Sequence, residues 1–261
     1  MYSFKTLGPL EARCGKKDLK VREGQTQQVL ACLLMNSGKV VSRNRMAQFL
    51  REGTILPSWD KCVQTHVSHT RKDLGDIDKT LIESVGTGYR INITREQLDL
   101  LVFEDLVKQG RAAVRRGNYV AAAAILREAL DLWYGNELLE GMELPFCFQP
   151  DAEHVRNLRL DTVQDWATAS MRLGRHHDVI PELDTLAVRH PEREHLTETL
   201  MHALYLDGRR QDALNAYARE DRALRKEFGY ETGHRLDKMQ SRILSDDPTL
   251  DYQYDPGSAA R

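Results

Sequence analysis

Residues 60–74 read Asp60-Lys61-Cys62-Val63-Gln64-Thr65-His66-Val67-Ser68-His69-Thr70-Arg71-Lys72-Asp73-Leu74, with Gly75 directly behind. Stepping about 100° per residue around a helix, Val63, Val67, Thr70 and Leu74 fall on one stripe. Lys61, Thr65, Ser68 and Lys72 fall opposite; Gln64 and Arg71 flank that polar stripe on one side and His69 on the other. The spacing predicts a helix with one buried face and one cationic face rich in short hydrogen-bonding side chains. Such a face suits the major groove of double-stranded DNA, where Lys and Arg meet phosphates and Gln, Thr, Ser and His reach base edges. Behind the helix, residues 81–85 and 89–93 are apolar on alternate positions around Gly86-Thr87-Gly88, which predicts a hairpin with a glycine-rich turn. Ahead of it, Ser42 is placed to cap a short helix reaching Arg51. Helix, helix and hairpin together read as a helix-turn-helix with a wing. The glycine tip would let backbone approach the sugar-phosphate rail closely, with Arg90 just behind it.

Further upstream, Tyr2-Ser3-Phe4 alternates like a strand, Gly8-Pro9 breaks it, and Leu19 and Val21 mark a partner strand. Val29, Leu30, Leu33 and Leu34 recur at helical spacing and predict an amphipathic helix from Gln25 to Met35, ended by Asn36-Ser37-Gly38. Residues 53–58, with Pro57, read as a loop. Charge sets this region apart. Residues 1–95 hold 16 Lys+Arg against 9 Asp+Glu, a balance of +7, whereas the remainder holds 21 against 30, a balance of −9. The overall −2 hides a basic front, suited to a polyanion, and an acidic back.

From about Leu98 the pattern is purely helical. Three segments place apolar residues five, six and nine positions after a glycine: Gly117 with Ala122, Ala123 and Leu126; Gly174 with Val179, Ile180 and Leu183; Gly208 with Ala213, Leu214 and Tyr217. Each triplet lies on one stripe of a helix starting just after a glycine turn. Gly174 and Gly208 are 34 residues apart, the tetratricopeptide period. Residues 135–150, with Pro145, Phe146 and Phe148, form an irregular insertion. The expected architecture is mostly α with a small β component. A winged helix occupies residues 1–95, a tetratricopeptide-like α-helical repeat domain 98–245, and a flexible tail 246–261.

Several classes are disfavoured. No apolar run approaches the ~18–20 residues of a membrane span, and the opening residues lack the layout of a signal peptide. Cys14, Cys32, Cys62 and Cys147 lie far apart without a C-x-x-C pair, so a reducing cytoplasm is the expected compartment and no zinc site is marked. Glu192-x-x-His195 and Glu231-x-x-His234 have di-iron carboxylate spacing. The second holds a predicted turn glycine, and two further inward glutamates would be needed. There is no nucleophile elbow and no phosphate-binding Gly-x-x-x-x-Gly-Lys-[Ser/Thr] run, so neither an enzyme nor a cofactor is expected.

Residues 63–75 and Gly86-Thr87-Gly88-Tyr89-Arg90 resemble the recognition helix and wing of response-regulator-type winged helices. Leu7-Gly8-Pro9-Leu10-Glu11, Gly38-Lys39-Val40-Val41-Ser42, His190-Pro191-Glu192-Arg193-Glu194 and Ala213-Leu214-Asn215-Ala216-Tyr217 resemble the Streptomyces antibiotic regulatory proteins, in which a bacterial transcriptional activation domain follows. The resemblance spans about residues 4–244. It implies a cytoplasmic activator of a biosynthetic gene cluster. Such an activator binds direct repeats as a dimer on DNA and recruits RNA polymerase holoenzyme through its sigma factor and other subunits. It also implies that Lys61, Thr65, His66, Ser68, Arg71, Tyr89 and Arg90 hold the DNA backbone, with Lys72 on the same polar stripe. Gln64 and His69 then lie nearest the bases. Family members usually carry Arg-Leu where this chain has His69-Thr70, and Thr70 weakens the buried stripe here. The loop at residues 51–59 lacks the family's Trp-Gly-Asp and paired prolines, where polymerase contact is implied. Thr232 and His234 replace two prolines and read as a softer turn. An alternative is a repeat scaffold for protein partners with the front domain as a non-specific DNA anchor.

Overall fold

The computed structural model describes residues 1–50 and 59–251. Alternation at the N-terminus yields a three-stranded antiparallel sheet of β1 (Tyr2–Lys5), β2 (Glu11–Cys14) and β3 (Lys17–Leu19), in that order. The sequence marked its first and last strands but not β2. The helical period of Val29, Leu30, Leu33 and Leu34 becomes α1 (Gln25–Met35), with all four side chains fully buried. β4 (Val41–Ser42) leads into α2 (Arg43–Leu50), whose Arg45 N–H donates to the Ser42 hydroxyl at 3.2 Å. α3 (Trp59–Leu74) ends at Gly75, in the left-handed region. β5 (Ile82–Val85) and β6 (Gly88–Ile91) pair with Ile82 opposite Ile91, and β4 joins the free side of β6, giving the order β4-β6-β5. The expected end of α2 at Arg51 and the loop at residues 53–58 lie outside the described residues.

Packing divides the chain into two compact units. The first combines Met1–Asp105 with Ala129–Arg159, and the second combines Leu106–Glu128 with Leu160–Arg261. The sequence sets a boundary at 95–98; the packing sets it inside α4 (Asp99–Arg115), α5 (Tyr119–Asp131) and α6 (Gln149–Arg172).

In the first unit, α1, α2 and α3 share a core of Leu30, Leu33, Met46, Phe49, Val63 and Val67, joined by Ile82 and Ile91 from the hairpin. The first residue of α4 ties down the end of β1. Asp99 Oδ1 and Oδ2 accept from the Thr6 amide at 2.8 Å each, and Oδ2 accepts from the Leu7 amide at 3.0 Å. Burial raises the Asp99 carboxyl above its ordinary value, against the downward pull of these hydrogen bonds. The insertion after α5 packs here as well. Leu139 N–H donates to Thr6 O at 2.8 Å, Glu140 N–H donates to Gly8 O at 3.0 Å, and Phe148 in a 3₁₀ turn (Phe146–Phe148) meets Phe49 edge-on at 4.9 Å.

In the second unit, three glycine turns recur with one geometry. Gly117, Gly174 and Gly208 sit at φ of 72°, 73° and 76°. After each, the next residue's N–H reaches back five positions: Asn118 to Ala113, Arg175 to Ser170 and Arg209 to Leu204. This double-bonded turn requires a left-handed residue, which glycine adopts without a Cβ penalty. The helix following each turn buries the expected residues Ala122, Leu126, Val179, Leu183 and Ala213, while Leu214 and Tyr217 stay part-exposed. α7 (His176–Arg189), α8 (Glu194–Leu206), α9 (Arg210–Glu227) and α10 (His234–Leu244) complete the unit.

The turn before α10, expected to be soft, is tightly bonded. Thr232 donates to Asp237 Oδ1 at 2.6 Å, and the Tyr217 hydroxyl bonds the same carboxylate at 2.8 Å. The tail, expected to fray from residue 246, holds a 3₁₀ turn (Pro248–Leu250) with Leu250 buried and its carbonyl 2.7 Å from His202 Nε2. Residues 252–261 lie outside the described residues. Among the described residues, no helix is long and apolar enough to cross a membrane, and no group of three His, Cys, Asp or Glu stands close enough to hold a metal ion.

Candidate nucleic-acid interface

The buried stripe of α3 seats the helix. Val63, Val67 and Leu74 are at most 2% exposed. Thr70 is fully buried too, and its hydroxyl donates to His66 O at 2.8 Å and Thr26 O at 3.3 Å. The buried polar group is therefore satisfied, and it links α3 to α1.

The opposite face is open. Lys61, Gln64, Thr65, Ser68 and Lys72 are all exposed. Thr65 folds its hydroxyl back onto Lys61 O at 2.9 Å, whereas Lys61 and Lys72 have no ion pair among the described residues. At ~1.5 Å per residue, the 16 residues of α3 present a face about 24 Å long. His69 is half-buried beside it, its ring edge-on to His66 at 5.9 Å.

Three of the ten residues taken from the sequence stand elsewhere. His66 turns toward α1, with Nδ1 3.2 Å from the Thr26 hydroxyl. Burial, then the neighbouring His69, lowers its pKa. Tyr89 is buried on β6 beneath the Arg71 guanidinium, which lies 5.6 Å from its ring centroid. Arg71 itself turns inward. Nε and Nη2 donate to Ile82 O at 3.1 and 2.6 Å, Nη2 donates to Ser84 Oγ at 3.1 Å, and Asp76 lies 4.0 Å away. The cause is reach. A long side chain on the flank of a helix lies within range of either face, and here the edge carbonyl of β5 is the nearer partner.

Arg90 lies on the hairpin with its head part-exposed, donating to Glu83 Oε2 at 2.7 Å and Asn92 Oδ1 at 3.1 Å. The Arg90 bond, then one donated by Asn92 Nδ2 to Glu83 Oε2 at 3.3 Å, holds the Glu83 carboxyl below the usual carboxylate range. The glycine-rich tip divides into two roles. Gly86 needs its φ of 57°. Gly88 is required by β4, because a Cβ there would stand 2.4 Å from Val41 O.

The sequence missed Arg43. Its backbone N–H and its Nε both donate to Thr87 O at the hairpin tip at 3.2 Å, and Nη1 donates to Asp60 Oδ2 at 3.2 Å. A run of polar residues, Arg43-Asn44-Arg45, at a helix start gives no signal for such a contact.

An exposed, cation-bearing helix seated on two others and flanked by a hairpin, in a chain that continues into glycine-punctuated helices, defines a winged-helix transcription regulator with a helical C-terminal part. Residues 21–91 match the family of transcriptional regulatory proteins, C-terminal region, and residues 98–244 match the bacterial transcriptional activator domain. The chain belongs to the Streptomyces antibiotic regulatory protein family. It is 30% identical to the regulatory protein DnrI of Streptomyces peucetius, over 94% of this chain and 93% of that protein. It is 33% identical to the regulatory protein AfsR of Streptomyces coelicolor over 95% of this chain, but spans only 24% of that protein. Among solved structures, Mycobacterium tuberculosis EmbR in complex with a low-affinity phosphopeptide superposes with a TM-score of 0.86 at 28% identity, covering 99% of this chain and 68% of that one.

Proposed function

We propose that this protein activates transcription by binding direct repeats in promoter DNA, with α3 in the major groove and the β5–β6 hairpin against the adjoining backbone. As a dimer on DNA in the cytoplasm, it would then recruit RNA polymerase holoenzyme. The observation that carries the reading is the open stripe of α3, where Lys61 and Lys72 have no counter-ion among the described residues and lie beside exposed Gln64, Thr65 and Ser68. In this reading the two lysines, with Thr65 and Ser68, hold phosphates, and Arg90 exchanges Glu83 for a phosphate. Gln64 and His69 read base edges; His69 donates and accepts but lacks the bidentate fork of arginine.

Selection of bound duplexes from a random pool, followed by footprinting, tests this. The expected product is a repeated element protected in one groove face. Lys61→Ala and Lys72→Ala each lower the salt slope of binding by about one unit, alike on every sequence. Gln64→Ala or His69→Ala changes the preferred element instead. Enrichment of no duplex, or binding insensitive to salt, refutes the reading.

A further inference from the structure

Two arginines near the groove-reading helix spend their hydrogen bonds on the protein itself, one at each end of the hairpin. At its base, Arg71 reaches from the last turns of α3 to β5 and forks onto Ile82 O while also bonding Ser84 Oγ. β5 is the edge strand of the order β4-β6-β5, and an edge strand leaves outward carbonyls in need of donors. Arg71 supplies one, with its side chain only 14% exposed. At the tip, Arg43 holds Thr87 O with two donors and the start of α3 through Asp60. Asp60 is the acid in the first turn of α3, so the same contact also neutralises a charge that would repel a phosphate backbone.

We propose that Arg71 and Arg43 are positioning residues that fasten the hairpin to both ends of α3, fixing the offset between groove-reading helix and wing without touching DNA themselves. The proposal rests on the DNA-binding reading above. Its chemistry depends on the guanidinium fork. One planar group bonds a carbonyl twice and a hydroxyl once, which the single ammonium of lysine does not reproduce. A phosphate contact, by contrast, depends mainly on positive charge, which lysine keeps.

That difference gives the test, made with the full chain on the duplex selected by the wild type. Arg71→Lys, Arg71→Gln, Arg43→Lys and Ser84→Ala are compared by binding across a salt series and by hydroxyl-radical footprinting. Clamping predicts that Arg71→Lys and Arg71→Gln weaken binding alike, by about tenfold, the loss typical of a charge-assisted hydrogen bond, with equal salt slopes. Protection beneath the hairpin shifts or disappears in both, while protection beneath α3 persists. General loss of folding would instead scale the whole footprint down. Arg43→Lys behaves likewise at the hairpin tip. Ser84→Ala, which changes no charge and keeps both arginines, moves the hairpin protection in the same direction and decides the matter if an Arg71 variant fails to fold. Near-wild-type binding by Arg71→Lys, with about one unit of slope lost only in Arg71→Gln, would make Arg71 a phosphate contact and overturn the proposal. So would an unmoved hairpin footprint in Ser84→Ala. A wild-type chain that protects no duplex removes the DNA-binding reading and the clamp together, whereas a binding wild type with an indifferent Arg71→Lys removes the clamp alone.

Discussion

Glu220 on α9 is 2% exposed, and its Oε1 has no hydrogen-bond partner among the described residues, in the second compact unit. Burial pushes its carboxyl up to about 7, against weaker downward pulls from Thr197 on α8 and Arg219 beside it; Glu194 and Glu192 push upward as well. A carboxyl whose folded value lies above its unfolded one is tolerated in its neutral form. Its contribution to stability is full below the ordinary value of 4.5 and is lost as pH rises through about 7. Glu220→Gln removes that loss. Thermal or urea unfolding should find the variant more stable than wild type by about 2–3 kcal/mol at pH 8, and nearly equal to it at pH 4.5. A variant less stable at both pH values would mean that the carboxylate has a partner in the fold. At this scale the sequence was legible where the helical angle decides the outcome. Val63, Val67, Thr70 and Leu74 go inside, and Lys61, Thr65, Ser68 and Lys72 stay outside. It was illegible where side-chain length decides. Arg71 sits on the flank and crosses to Ile82 O, and His66 is captured by the Thr26 hydroxyl across a helix–helix contact that no local pattern encodes.

Helices with glycine stops were readable almost to the residue, because α1 and α3 each carry a complete buried stripe and a left-handed terminator nearby. β4 was not, since two residues hold no alternation, and its existence depends on the neighbouring hairpin. The hairpin glycines show how that dependence is enforced. Ser42 pairs with Gly88 and Val41 with Tyr89, and a Cβ at Gly88 would meet the Val41 carbonyl. Gly86 faces open space and needs only its positive φ. Gly88→Ala is therefore expected to part β4 from β6 at a cost of about 1–3 kcal/mol, and to release the α2 start that β4 introduces. Gly86→Ala should lose about 1–2 kcal/mol through backbone strain alone and leave the β4–β6 pairing intact. Amide exchange at Val41 and Tyr89 separates the two. Exchange quickened equally by both substitutions would show that the tip, rather than the close approach of β4, sets the sheet.

For the molecule as a whole, the purely helical pattern after Leu98 suggests a clean break there, whereas packing assigns residues 96–105 and 129–159 to the compact unit that holds the winged helix. The reason lies in backbone partners that periodicity does not report. Gln97 Nε2 donates to Tyr2 O at 2.8 Å, and Asp99 collects the Thr6 and Leu7 amides. Tyr134 and Gly135 both send N–H groups to Leu7 O, and the Tyr134 hydroxyl bonds Pro9 O. Gly8 and Gly135 approach so closely that a Cβ on Gly8 would stand 2.9 Å from Gly135 N. Cutting the chain at residue 95 strips all of these from β1 and its following turn, and also removes Phe148 from Phe49. Each orphaned buried backbone group costs about 1–3 kcal/mol, and single domains are stable by only about 5–15 kcal/mol. A fragment of residues 1–95 should therefore unfold well below the first transition of the full chain and bind the selected duplex more weakly. A fragment of residues 1–159 keeps these contacts and should recover much of both. Calorimetry and binding on the two fragments decide it. A 1–95 fragment melting at the temperature of the full chain would place the folding boundary back at residue 95 and reduce the insertion to an accessory.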